Sequence, residues 1–119
     1  MSPHASGEGV VWHLALAEHW ERARRSGEYR HSTLGRTLEE EGFIHASRDH
    51  AQLAGVVRRF YRGVTEPLVL LEVDTGLLGC PVRYEPPGAA ETFPHIYGPI
   101  PARAVRSAVP YTPPEEGGL

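Results

Sequence analysis

Lysine is absent from this 119-residue sequence, and all 12 basic residues are arginine. Schiff-base and pyridoxal-phosphate catalysis and the lysine-dependent phosphate loop are thereby excluded. Cysteine occurs once, at Cys80, which rules out an internal disulfide framework and every Cys-rich zinc module. No apolar run approaches the roughly 20 residues that a membrane-spanning helix needs. The opening residues lack the basic and apolar regions of a signal peptide, so a cytoplasmic protein is expected. A net charge of -3 and a pI near 6.1 argue against a nucleic-acid partner held by charge. The sequence also lacks a G-x-G-x-x-G loop and a G-x-S-x-G elbow.

What is present amounts to one small domain, large enough to bury roughly two-thirds of its unfolded surface without a metal or disulfide. Residues 1–8 and 112–119 are small, polar or Pro/Gly-rich and are expected to be loose, leaving 9–111 as the domain. Residues 10–14 alternate as a strand, with Trp12 and Leu14 on one face and Val11 and His13 on the other. A helix over 16–26 follows, closed by Gly27. A short strand near Tyr29 and a helical turn at 37–41 lead to a second strand over 42–46. Ser47 is the expected cap of a helix running to about Arg62, on which Leu53, Val56, Val57 and Phe60 share a stripe. The apolar run 68–73 is the expected central strand. Shorter strands are expected over 80–84, 91–98 and 104–109, with Pro94 at an edge or bulge. Strands concentrated late in the chain favour an α+β fold with two main helices.

Seven histidines stand in this chain. His4, His19, His31 and His50 fall on loose or polar stretches. His13, His45 and His95 instead each lie in a predicted strand between apolar neighbours. Each alone reads as a half-buried ring satisfied by a carbonyl. Three on separate strands suggest rings that converge for proton transfer or metal ligation. A three-histidine metal site lacks any short ligand spacing, so no metal is expected. Tyr97 shares strand parity with His95 and offers a ring for stacking.

Three segments together carry a resemblance. Val11-Trp12-His13-Leu14-Ala15, Glu41-Gly42-Phe43-Ile44-His45-Ala46-Ser47 and Phe93-Pro94-His95-Ile96-Tyr97-Gly98-Pro99 resemble motifs of the DUF952 family of small bacterial proteins, over about residues 10–109. The resemblance implies an ADP-ribosyltransferase-like fold: two small sheets packed across each other with an NAD-binding cleft between them. It further implies that His13 holds a ribose and that His45 and Ser47 line the nicotinamide side. Glu91 would be the carboxylate beside an oxocarbenium-like transition state, with Tyr29 or Tyr97 as the stacking ring. The expected catalytic set is therefore His13, His45, Glu91 and His95, with His13, Tyr29, Ser47 and Tyr97 binding NAD as substrate. The expected partner is a small molecule or nucleotide. Two alternatives remain open: acid–base catalysis by the histidines on a small metabolite, and a non-catalytic binding module.

Overall fold

Alternating apolar residues in the first strand are matched by an apolar run sixty residues later, and the two pair. The computed structural model describes residues 9–113; the loose segment expected at 1–8, and all of the expected tail except 112 and 113, lie outside the described residues. In chain order the elements are β1 (Val10–Leu16), α1 (Ala17–Ser26), β2 (Glu28–Tyr29), α2 (Leu38–Glu41), β3 (Ile44–His45), α3 (His50–Phe60), β4 (Leu68–Asp74), β5 (Val82–Glu85), β6 (Phe93–Ile96), β7 (Ile100–Pro101) and β8 (Val105–Tyr111). All strand pairings are antiparallel, in three sheets ordered β1-β4-β8, β2-β7 and β3-β6-β5. The class is α+β with two main helices and one single-turn helix. Instead of the two sheets expected there are three, because the two-residue β2 pairs with β7 apart from the larger sheets.

Sheet β1-β4-β8 carries a core on each side. Val11 and Ala15 of β1, with Leu71 and Val73 of β4, meet Trp20 and Ala23 of α1 and Ile44, Ile96 and Ile100. Leu14, Leu68 and Leu70 project the other way onto Leu53, Val56 and Val57 of α3. Period-two alternation thus feeds both faces from the same strands, and each fully buried Leu, Ile or Val side chain contributes about 1.5–3 kcal/mol. His13 shares the parity of Val11 and is buried with that face. No helix among the described residues is long and apolar enough to cross a membrane.

Two local expectations are corrected. Ser47 does not cap α3; Asp49 does, its Oδ1 accepting from the Gln52 amide at 2.8 Å. The Ser47 backbone is extended instead, exchanging both hydrogen bonds with Trp12 of β1 at 2.7 and 2.8 Å. Pro94 lies in β6, the middle strand of its sheet and not an edge. Its carbonyl accepts from Ala46, but it has no N–H to return, so the β3–β6 ladder stops there. Released from that ladder, the chain at Ser47 pairs with β1 and ties the two three-stranded sheets together.

Candidate functional site

The register of β3-β6-β5 decides which side chains meet. Ile44 opposes Ile96, which opposes Val82, and this face joins the core. The alternate residues face outward: His45 opposes His95, which opposes Arg83, and Phe93 opposes Glu85. Phe43 and Tyr97, just beyond the strand ends, add rings to the same face. The outward face therefore holds two imidazoles, a carboxylate, a phenol, two phenyl rings and a guanidinium.

His95 is held in two directions. Its Nδ1 donates to Glu85 Oε1 at 2.8 Å, which leaves Nε2 directed away from the carboxylate. The Phe43 ring stacks on it at 3.9 Å and 9°, fixing its plane. Tyr97 donates its hydroxyl to the same Glu85 oxygen at 2.5 Å. Those two donors, Tyr97 first and His95 second, draw the Glu85 carboxyl below its ordinary range, and the same bond raises the Tyr97 phenol. Neither His95 Nε2 nor the ring nitrogens of His45 has a hydrogen-bond partner among the described residues.

His45 is gripped by its backbone alone. Ala46 bonds to Pro94 one residue on, so His45 and His95 form the non-hydrogen-bonded kind of antiparallel pair, whose side chains lie closest. The His45 N–H and C=O therefore point to the free edge of β3. There the amide donates to Ser32 Oγ at 3.1 Å, and the carbonyl accepts from His13 Nδ1 at 2.7 Å. The imidazole lies 5.4 Å from His95 and 5.2 Å from Phe93, centroid to centroid. Burial, and then the neighbouring His95, push its pKa down to about 4, so it is neutral near pH 7.

His13 is closed off. It is 2% exposed, and a carbonyl partner makes its Nδ1 the donor, so Nε2 accepts from the Tyr29 hydroxyl at 2.8 Å. Burial pushes its pKa down to about 4 and raises that of Tyr29 well above the ordinary value. Both ring nitrogens are thus committed to other protein atoms.

Of the residues expected at the site, His45, His95 and Tyr97 meet on the outward face. His13 and Tyr29 stand behind it, bonded to the His45 backbone and to each other. Ser47 is buried in the bridge to Trp12. Glu91 is exposed before β6, where its carboxylate accepts from Gln52 of α3 at 3.2 Å. Sequence reasoning passed over Glu85, Arg83 and Phe43. Strand alternation through residues 82–85 was the available signal, since it places Arg83 and Glu85 on one side. No group of three or more metal-ligating side chains converges among the described residues. A cavity of about 710 Å³ lies elsewhere, between the end of α3 and β8, lined by Val57, Tyr61, Val64 and Tyr111 among others, and contains none of these residues.

Fold and face together define an α+β protein with a carboxylate-held histidine on an outward sheet. The sequence matches the family described as "Protein of unknown function (DUF952)" over residues 14–108, and the chain belongs to that family. The crystal structure of protein CC0527 from Caulobacter crescentus is similar, with a TM-score of 0.70 and 26% identity over 85% of this chain and 84% of that one. The solution NMR structure of CC0527 gives 0.66 and 26%, over 85% and 83%. No curated protein matches the sequence.

Proposed function

We propose that the protein is an enzyme performing histidine acid–base chemistry on a small molecule bound against the outward face of β3-β6-β5. The observation that carries this reading is the 2.8 Å bond from His95 Nδ1 to Glu85. A carboxylate accepting at Nδ1 fixes the tautomer and leaves Nε2 to take or give a proton. His45 supplies a second, neutral imidazole beside it. Two such groups can remove a proton at one point of a substrate and deliver one at another. In this reading His95 and His45 are catalytic, Glu85, itself held by Tyr97, orients His95, and His13, itself held by Tyr29, holds the His45 backbone.

The test is turnover of a panel of small acyl, phosphoryl and glycosyl esters. Whichever substrate reacts should lose about 100-fold or more in kcat with His95→Ala. The loss with Glu85→Gln should be smaller and in the same direction. An inert panel, or turnover indifferent to His95→Ala, overturns the reading.

ADP-ribosyl transfer from NAD, in an ADP-ribosyltransferase-like cleft, is the second reading. It is favoured by the rings of Phe43, Phe93 and Tyr97 around a carboxylate, which suit a planar base and a developing ribosyl cation. The catalytic carboxylate is Glu91 by resemblance and Glu85 by position. Saturating NAD should raise Tm by linkage. Release of nicotinamide should then fall with one of Glu91→Gln and Glu85→Gln while NAD binding survives. An unmoved Tm rejects this reading.

A further inference from the structure

Three side chains of the outward face stand in a single row. His45 opposes His95 and His95 opposes Arg83, so the row crosses three strands at an interstrand spacing of about 4.8 Å. Arg83 is exposed, with its guanidinium carbon 5.6 Å from the centroid of the Tyr97 ring. Arg24, Arg30, Arg36 and Arg48 each lie against a carboxylate; Arg83 forms no such pair among the described residues, as is true of other arginines such as Arg58 and Arg103, but Arg83 stands on the outward face beside His95. A permanent cation one strand from His95, whose donors make no hydrogen bond among the described residues and whose charge is felt by Glu85, is matched to an anion that lies at the reacting centre. Phosphate has that character, because its ester stays negative throughout reaction and its oxygens fit the guanidinium fork. Phosphoryl transfer also depends chiefly on positioning and charge, and the row sets one cation and two imidazoles on a single face.

Resting on the acid–base reading above, we infer that the row is a phosphate-ester site, with Arg83 holding the non-bridging oxygens and His45 and His95 serving the two proton transfers. Water is the nucleophile. Its oxygen forms the new bond to phosphorus while His45 takes its proton. The bond from phosphorus to the ester oxygen breaks, its electron pair stays on that oxygen, and Nε2 of protonated His95 supplies the proton. The products are phosphate and an alcohol. His45 ends protonated and His95 neutral, and one proton exchanged with solvent restores both.

Two probes separate the parts: phenyl phosphate, whose leaving oxygen needs a proton, and para-nitrophenyl phosphate, whose leaving oxygen does not. His95→Ala should lower kcat about 100-fold on the first and much less on the second. Arg83→Gln should raise KM at least tenfold on both, and weaken inorganic phosphate, followed by imidazole NMR shifts, by a similar factor. Arg83 is exposed, so an unchanged Tm in that variant shows that the effect is local. Absence of phosphate binding, equal binding by Arg83→Gln, or equally good displacement of phosphate by benzoate overturns the phosphate assignment. In those cases, turnover of para-nitrophenyl acetate that still depends on His95 would confine the failure to this inference. Phosphate-ester turnover unaffected by both His45→Ala and His95→Ala would remove the acid–base reading as well.

Discussion

His13 illustrates how one buried ring can be fully determined by its partners. A carbonyl on Nδ1 makes that nitrogen the donor, so Nε2 needs a donor and Tyr29 provides it. Tyr29→Phe keeps the ring and deletes only that hydroxyl. An acceptor left unsatisfied at this depth costs about 1–3 kcal/mol. The expected result is a lower urea midpoint with an unchanged slope; an unmoved midpoint would show that the bond contributes nothing. Burial of His13 against a carbonyl was legible from its place in an apolar strand, but the bond on its second nitrogen was not, since Tyr29 lies 16 residues away. Glu85 was missed for a similar reason. The strand over 80–84 was expected to stop one residue short of it, and only pairing with β6 shows that it faces His95.

At the scale of elements, long strands and helices were readable because each repeats its pattern several times. β1, β4, α1 and α3 fall close to their expected positions. Two-residue strands such as β2, β3 and β7 have no periodicity to detect and exist through their partners. The cap of α3 was misplaced because Ser47 and Asp49 both have capping side chains, and the bridge to Trp12 takes Ser47 away. Close approach also positions the end of the outward face. Gly98, directly after Tyr97, packs so near Cys80 that an added Cβ would lie 2.7 Å from the cysteine Cβ. Gly98→Ala should therefore cost about 1–3 kcal/mol. Cys80→Ala cannot relieve it, because the offending Cβ remains. Combined with Cys80→Gly, the two changes should be non-additive by about 1 kcal/mol or more in a double-mutant cycle of urea unfolding. Simple additivity would mean that the two loops part instead.

For the whole molecule, buried neutral histidines make stability depend on pH in a defined direction. His13 and His45 titrate at about 4 when folded, against an ordinary value of 6.5. Between those limits the unfolded chain binds protons that the folded chain refuses, so stability is full above about pH 6.5 and falls as pH drops towards 4. His13 alone accounts for up to about 3 kcal/mol across that window. The lowered Glu85 carboxyl also loses its stabilising effect on acidification, but further down, below the ordinary carboxylate value of 4.5. Urea unfolding at about pH 7.5 and pH 5 should thus show a loss that is smaller in His13→Gln; equal losses in the two proteins would sink the assignment. The grip on residue 45 has a consequence of another kind. Its main chain is clamped by Ser32 and His13 while its ring bonds to nothing among the described residues. The main chain at position 45 is thus set by two bonds that a change of its own side chain does not remove, so the imidazole can be exchanged for another group with its two anchors still in place.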